Sequence, residues 1–176
     1  MTSTTLFWAP FAARAALGFA AASIGILALA PHAEAQSISP TVTSQNKAAV
    51  EGKFDAWKAG TGNPFELLAD EASWTIEGNS VASKTYPTKE DFLSDVIRPF
   101  NARMSIGIKP TVKSITADAD RVVIHFDAAG TARDGKPYVN TYAWFFQMKN
   151  GRVIRAAAFF DAIAFNDLWA RVTPAG

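Results

Sequence analysis

The chain has 176 residues, 17 Lys and Arg against 16 Asp and Glu, and a formal net charge of +1. Near-neutral charge without a basic run gives no footprint for a nucleic-acid partner. The absence of cysteine excludes thiol nucleophiles, zinc–cysteine sites and iron–sulfur clusters.

The N-terminal stretch has the layout of an export signal. Arg14 precedes an apolar run from Ala15 to Ala30, and Ala33-Glu34-Ala35 supplies a small-x-small cleavage site before Gln36. The run is short and alanine-rich against the roughly 20 residues of a spanning helix, so no stable membrane insertion is expected after cleavage. Residues 1–35 are thus read as a signal peptide, residues 36–46 as a flexible polar leader and residues 47–172 as one domain, exported to the periplasm or secreted. His32 falls in the signal and leaves His125 as the one histidine of the mature chain. This excludes a multi-histidine metal site within one copy, and neither a metal nor a cofactor is expected.

Gln45 to Ala59 reads as a helix, with Val50, Phe54 and Trp57 on one apolar stripe. Gly60 to Asn63 ends it, and Pro64 starts a short second helix to Ala69. Ala72 to Glu77 is a short strand with Trp74 and Ile76 on one face. Gly78 to Pro87 is a loop carrying Tyr86, a rim candidate or an ordinary loop aromatic. Thr88 caps a third helix running to Arg103, and Pro99 should kink or shorten its last turn. Four strands follow: Lys109–Ala117, Arg121–Thr131, Tyr138–Lys149 and Arg152–Asp161. Asp134-Gly135 and Asn150-Gly151 suit tight hairpin turns. A closing helix spans Ala162 to Arg171. Helices first and a strand meander last imply an α+β fold, with helices on one face of an antiparallel sheet.

Counting back from a two-residue Asn150-Gly151 loop pairs Lys149 with Arg152, Thr141 with Phe160, Ala143 with Ala158 and Phe145 with Ala156. Asn140 opposite Asp161, Tyr142 opposite Phe159 and Trp144 opposite Ala157 then face the other way. A two-residue Asp134-Gly135 loop adds His125 beside Trp144 and Asp127 beside Tyr142, unless a bulge inverts it. The expected cavity face carries Phe126, Thr141, Ala143, Phe145, Ala158 and Phe160, joined by Trp74 and Ile76.

In order and spacing, WTIEG at Trp74–Gly78, DRVVIHF at Asp120–Phe126, GKPYVNTY at Gly135–Tyr142 and NGRVIRAAAFFD at Asn150–Asp161 resemble the nuclear transport factor 2-like superfamily. Within it, the chain is similar to the SnoaL-like and ketosteroid-isomerase-like proteins, over Lys47 to Leu168. The resemblance implies a cone-shaped domain: a curved sheet wrapped around helices, an apolar pocket at the open end, and homodimers through the outer sheet face. It also implies where catalytic acids would stand. Those positions hold Ile76, Ala143 or Trp144, and Ala158, while the tyrosine position of the first helix holds Lys53 or Phe54. Proton abstraction needs a base within hydrogen-bond reach, so the known routes are disfavoured.

Three catalytic candidates remain. Asp161, opposite Asn140, is either a carboxylate at the pocket mouth or the N-cap of the closing helix. His125 is either a proton shuttle or an outer-face residue. The expected function is binding of a small hydrophobic molecule. The alternatives are an isomerase, cyclase or hydratase using Asp161, and a module that dimerises through Tyr142, Trp144 and Phe159.

Overall fold

Thr41 opens the first helix, α1 (Val42–Ala59), by accepting a hydrogen bond from the Ser44 amide, and Gly60 closes it at φ +80°. The computed structural model describes residues 41–174, so the expected signal peptide lies outside the described residues. A single 3-10 turn follows (Pro64–Leu67), where Asn63 and Glu66 cap each other reciprocally. The short helix expected from Pro64 to Ala69 is thus a 3-10 turn that ends at Leu67, where the first strand takes over. The strands are β1 (Leu68–Ile76), β2 (Thr85–Tyr86), β3 (Met104–Asp118), β4 (Arg121–Ala132), β5 (Pro137–Lys149) and β6 (Arg152–Phe160). Between β2 and β3 lies a composite helix: α2 (Lys89–Phe92), a π-helical segment (Leu93–Ile97) and α3 (Arg98–Asn101). The last helix, α4 (Ala162–Arg171), follows β6 directly.

Pro99 accounts for the π segment. It has no amide proton for the Asp95 carbonyl, and the ladder widens just before it, with the Arg98 amide bonding the Leu93 carbonyl. The expected kink is therefore a local widening of the helix.

The six strands form one curved, unclosed sheet in the order β2-β1-β6-β5-β4-β3. It is mixed rather than purely antiparallel, because β1 runs parallel to β6, with Trp74 beside Ala156 and Ile76 beside Ala158. Helix α1 packs across β3 and β4. Val50 and Phe54 are buried there, and Phe54 meets Phe126 and Trp144 edge-on at centroid distances of 5.0 and 5.7 Å.

Both hairpin registers differ from expectation by one residue. Asn150 and Gly151 do form the tight turn, at φ 52° and 72°, and Lys149 does pair with Arg152. Beyond Met148–Val153, however, Ile154 bulges out of the ladder. Gln147 then meets Arg155, Trp144 meets Ala158 and Tyr142 meets Phe160. At the other hairpin the loop has three residues, Arg133 to Gly135, closed by the Ala132 amide on the Lys136 carbonyl and by Gly135 at φ +81°. Phe126 therefore pairs with Tyr142, and His125 with Ala143. Since side chains alternate, each slip inverts β5 relative to its neighbour. The faces assigned to β4 and β6 stand, and that of β5 is reversed. Tyr142, Trp144 and Phe146 point inward and are buried, while Thr141, Ala143 and Phe145 lie on the outer face.

At the start of β3 the register slips twice, so Gly107 and Ile108 bulge opposite Gly130. A Cβ on Gly130 would sit 2.6 Å from the Ile106 carbonyl oxygen and 3.0 Å from the Ile108 amide. Both obstacles are backbone and cannot rotate away. Gly130→Ala is expected to cost about 1–3 kcal/mol in urea denaturation, the range for overpacked sites. An unchanged midpoint would show that the bulge yields freely.

Candidate functional site

The inner sheet face and the composite helix enclose a cavity of about 490 Å³. Its walls are aromatic. Trp74 from β1 stacks on Phe92 of α2 at 4.3 Å with planes 7° apart. Trp144 from β5 stands edge-on to Trp74 at 5.0 Å and lies parallel to Trp57 of α1 at 6.3 Å. Phe65 of the 3-10 turn meets Phe92 edge-on at 5.6 Å. The π segment supplies Leu93, Val96 and Ile97, and the β3 bulge supplies Gly107 and Ile108. The π segment and the β3 bulge thus both deliver cavity wall, in keeping with the way π-bulges and β-bulges collect near functional sites.

Among the expected pocket residues, Trp74, Ile76, Ala158 and Phe160 line this cavity. Thr141, Ala143 and Phe145 do not, because the β5 inversion puts them on the outer face. Phe126 is inward but fully buried behind Tyr142, its ring stacked on the phenol at 5.0 Å. Tyr86 is neither lid nor rim. It is buried in β2, and its hydroxyl donates to the Ala82 carbonyl at 2.8 Å. Sequence reasoning missed Tyr142 and Trp144, along with Phe65, Phe92 and Phe165 from the helices.

Of the three catalytic candidates, Asn140 and Asp161 meet through the Asp161 backbone and not its carboxylate, and His125 stands apart. The Asp161 carboxylate accepts from the Ile163 amide at 2.8 Å and so caps α4. His125 is exposed on the outer face. Asn140 is buried, but all its polar atoms are engaged. Its Oδ1 accepts from the Asp161 amide at 2.9 Å, and its Nδ2 donates to the Asp161 carbonyl at 3.0 Å and to the Tyr138 hydroxyl at 2.9 Å. One carboxylate, Glu66, stands at the cavity mouth. The Lys53 ammonium at 2.7 Å, and after it the Asn63 amide, lower its pKa below the ordinary glutamate value and keep it ionised, so it is a poor proton donor.

Polar groups inside are few. The Trp74 indole Nε1–H is buried without a hydrogen-bond partner. Tyr142 is also a residue of the cavity wall, and its hydroxyl lies 3.1 Å from that of Tyr138. Burial is the first cause that raises both phenols, and Tyr142 stands well above the ordinary tyrosine value. Tyr86 is raised as well, again first by burial. These are all three tyrosines of the chain. The folded protein is therefore expected to show little tyrosinate absorbance near pH 10, where a free phenol is half ionised. Because the folded values exceed the unfolded one, this contribution is complete below about pH 10 and is lost as pH rises beyond it. Half-ionisation of the native protein's tyrosines at the free value would contradict this burial.

A family model described as SnoaL-like domain matches residues 42–156. No protein of curated function matches the chain. Among solved structures, Bal32a from a soil-derived mobile gene cassette is 24% identical and covers 73% of this chain and 99% of its own, with a TM-score of 0.59. TerC, co-crystallised with polyporic acid, is 16% identical over 71% of this chain and 98% of its own, at 0.58. A candidate SnoaL-like polyketide cyclase from Jannaschia sp. CCS1 is 18% identical over 74% and 94%, also at 0.58. At such identities these three speak for the fold, which is that of the NTF2-like proteins, and the family assignment rests on the domain match. By sequence and by fold, this chain belongs to the SnoaL-like domain family.

Proposed function

We propose that the protein is an exported, cofactor-free domain that binds a flat, hydrophobic, largely aromatic small molecule. One observation carries the reading: a cavity of about 490 Å³ walled by Trp57, Trp74, Trp144 and Phe92. Ligand sites span about 300–1,000 Å³ and are mostly apolar with a few placed polar groups. The fold-mate TerC was crystallised with polyporic acid, which supports a small organic occupant. Export rests on the signal pattern of residues 14–35. The test is a titration with the naphthalene dye Prodan. Saturable one-to-one binding is expected, with the dye's emission shifted to the blue and the cavity tryptophans quenched. No saturable binding contradicts the reading.

An isomerase, cyclase or hydratase based on Asp161 is the second reading, and the name of the Jannaschia fold-mate favours it. Against it, the Asp161 carboxylate is engaged at the start of α4. Asp161→Ala is expected to cost about 1 kcal/mol, as for other lost N-caps, and to leave Prodan affinity unchanged. A variant of wild-type stability that loses ligand would turn the argument toward a site role.

We propose a homodimer as the assembly, formed through the outer sheet face. Of the three aromatics expected at that contact, Tyr142 and Trp144 point inward and are buried, whereas Phe159 is exposed on the outer face at 49%, with Phe145 at 43% and Val139 at 59%, more apolar surface than a lone scattered residue explains. Sedimentation across a concentration series distinguishes dimer from monomer.

A further inference from the structure

The Asn140–Tyr138–Tyr142 chain has one proton more than it has acceptors inside the protein. A backbone N–H only donates, so the Asp161 amide fixes Asn140 Oδ1 toward itself and Nδ2 toward the Tyr138 hydroxyl. The Tyr138 oxygen is thereby an acceptor from Asn140. Between the two phenols, 3.1 Å apart, only one proton is shared. The other proton has no partner. If it belonged to Tyr138, a buried O–H away from the cavity would be orphaned, since Tyr138 is 2% exposed and packs on Phe100. If Tyr138 donates to Tyr142, the free proton belongs to Tyr142, which stands on the cavity wall. The second arrangement leaves no orphan inside the core and is preferred.

A free donor with no acceptor of its own calls for an oxygen on the occupant. We propose that the Tyr142 hydroxyl donates a hydrogen bond to a carbonyl oxygen of the bound aromatic molecule, with Tyr138 and Asn140 as positioning residues. The inference rests on the binding function proposed above and narrows it to aryl ketones or quinones. Asn140 polarises Tyr138, and Tyr138 in turn polarises Tyr142, which strengthens the last donor in the row. Burial keeps Tyr142 protonated, so the group acts as a donor and not as a base.

The test uses two probes of one shape, methyl naphthyl ketone and isopropenylnaphthalene, which replaces C=O by C=CH2. The wild-type protein is expected to bind the ketone about tenfold more tightly. Tyr142→Phe should remove that preference while binding the alkene within about twofold of wild type. Infrared spectra of the carbon-13-labelled ketone give a readout that packing alone does not move. The bound carbonyl stretch should lie below its value in hydrocarbon, rise in Tyr142→Phe, and fall between the two in Tyr138→Phe, which keeps the donor but removes its support. Tyr138→Phe also decides the matter if Tyr142→Phe does not fold, since the inference requires its stretch to rise. Equal affinity for both probes with an unshifted stretch overturns the inference and leaves the binding function standing. Failure of the wild-type protein to bind either probe overturns both.

Discussion

Replacing Ala158 by tryptophan is expected to abolish ligand binding, weakening Prodan affinity by about a hundredfold or more while the protein stays folded. Ala158 is 1% exposed, and its methyl group lines the cavity. It sits between Ile76 of β1 and Trp144 of β5, at the middle of the inner face. An indole there has somewhere to go, because it enters open volume and not packed core. Ordinary small-to-large changes in a filled interior cost about 1–3 kcal/mol through strain. Here the ring would meet Trp74, Phe160 and other cavity walls and gain contacts, offsetting much of that cost. A site can thus lose its ligand without losing its fold, and a binding loss of about 2.7 kcal/mol corresponds to the hundredfold change. If the same substitution instead unfolds the protein, the volume beside Ala158 is not available. Unchanged affinity would mean that ligand binds elsewhere.

The second large effect is on stability. Asn140→Leu is expected to lower unfolding free energy by about 2–4 kcal/mol, read from the urea midpoint, because each buried group stripped of its partner costs about 1–3 kcal/mol. Asn140 is 3% exposed and makes three hydrogen bonds, two of them to the backbone of Asp161 at the junction of β6 and α4. Leucine fills similar space but leaves the Asp161 amide, the Asp161 carbonyl and the Tyr138 hydroxyl without this partner. The junction holds α4 against β5, where Phe165 packs on Phe160 and on Phe100 at 5.0 and 6.1 Å. Losing the clamp therefore loosens one wall of the cavity as well. Against a typical total of about 5–15 kcal/mol, a change of this size is conspicuous. An unaltered midpoint would show that Asn140 is incidental.

Much of this architecture is legible in the residues. The α1 stripe of Val50, Phe54 and Trp57, the turn at Asn150-Gly151 and the last helix all follow from spacing and turn chemistry. The face of β5 does not. A bulge at Ile154 adds one residue without any compositional mark, and the Arg133–Gly135 loop is one residue longer than Asp134-Gly135 alone suggests. Along β5 both phases hold apolar residues, since Val139, Ala143 and Phe145 alternate with Tyr138, Tyr142, Trp144 and Phe146. Polarity therefore sets no register. Size would have set it, because the larger rings share one phase, and that phase is the buried one. The expected site failed for that reason at Thr141, Ala143 and Phe145, and held position at Trp74, Ile76, Ala158 and Phe160, whose strands kept their faces. The helix-borne walls, such as Phe65 and Phe92, depend on how helices dock over the sheet, which periodicity alone does not specify.

The central claim, that the aromatic cavity holds a small molecule, is tested most directly by what the protein carries. The wild-type chain and Ala158→Trp are expressed for export, purified gently and denatured, and the released compounds are compared by mass spectrometry. The account predicts one aromatic, oxygen-bearing compound in near-stoichiometric amount from the wild type, and its loss from the variant. Release of the same compounds in the same amounts from both proteins would contradict it.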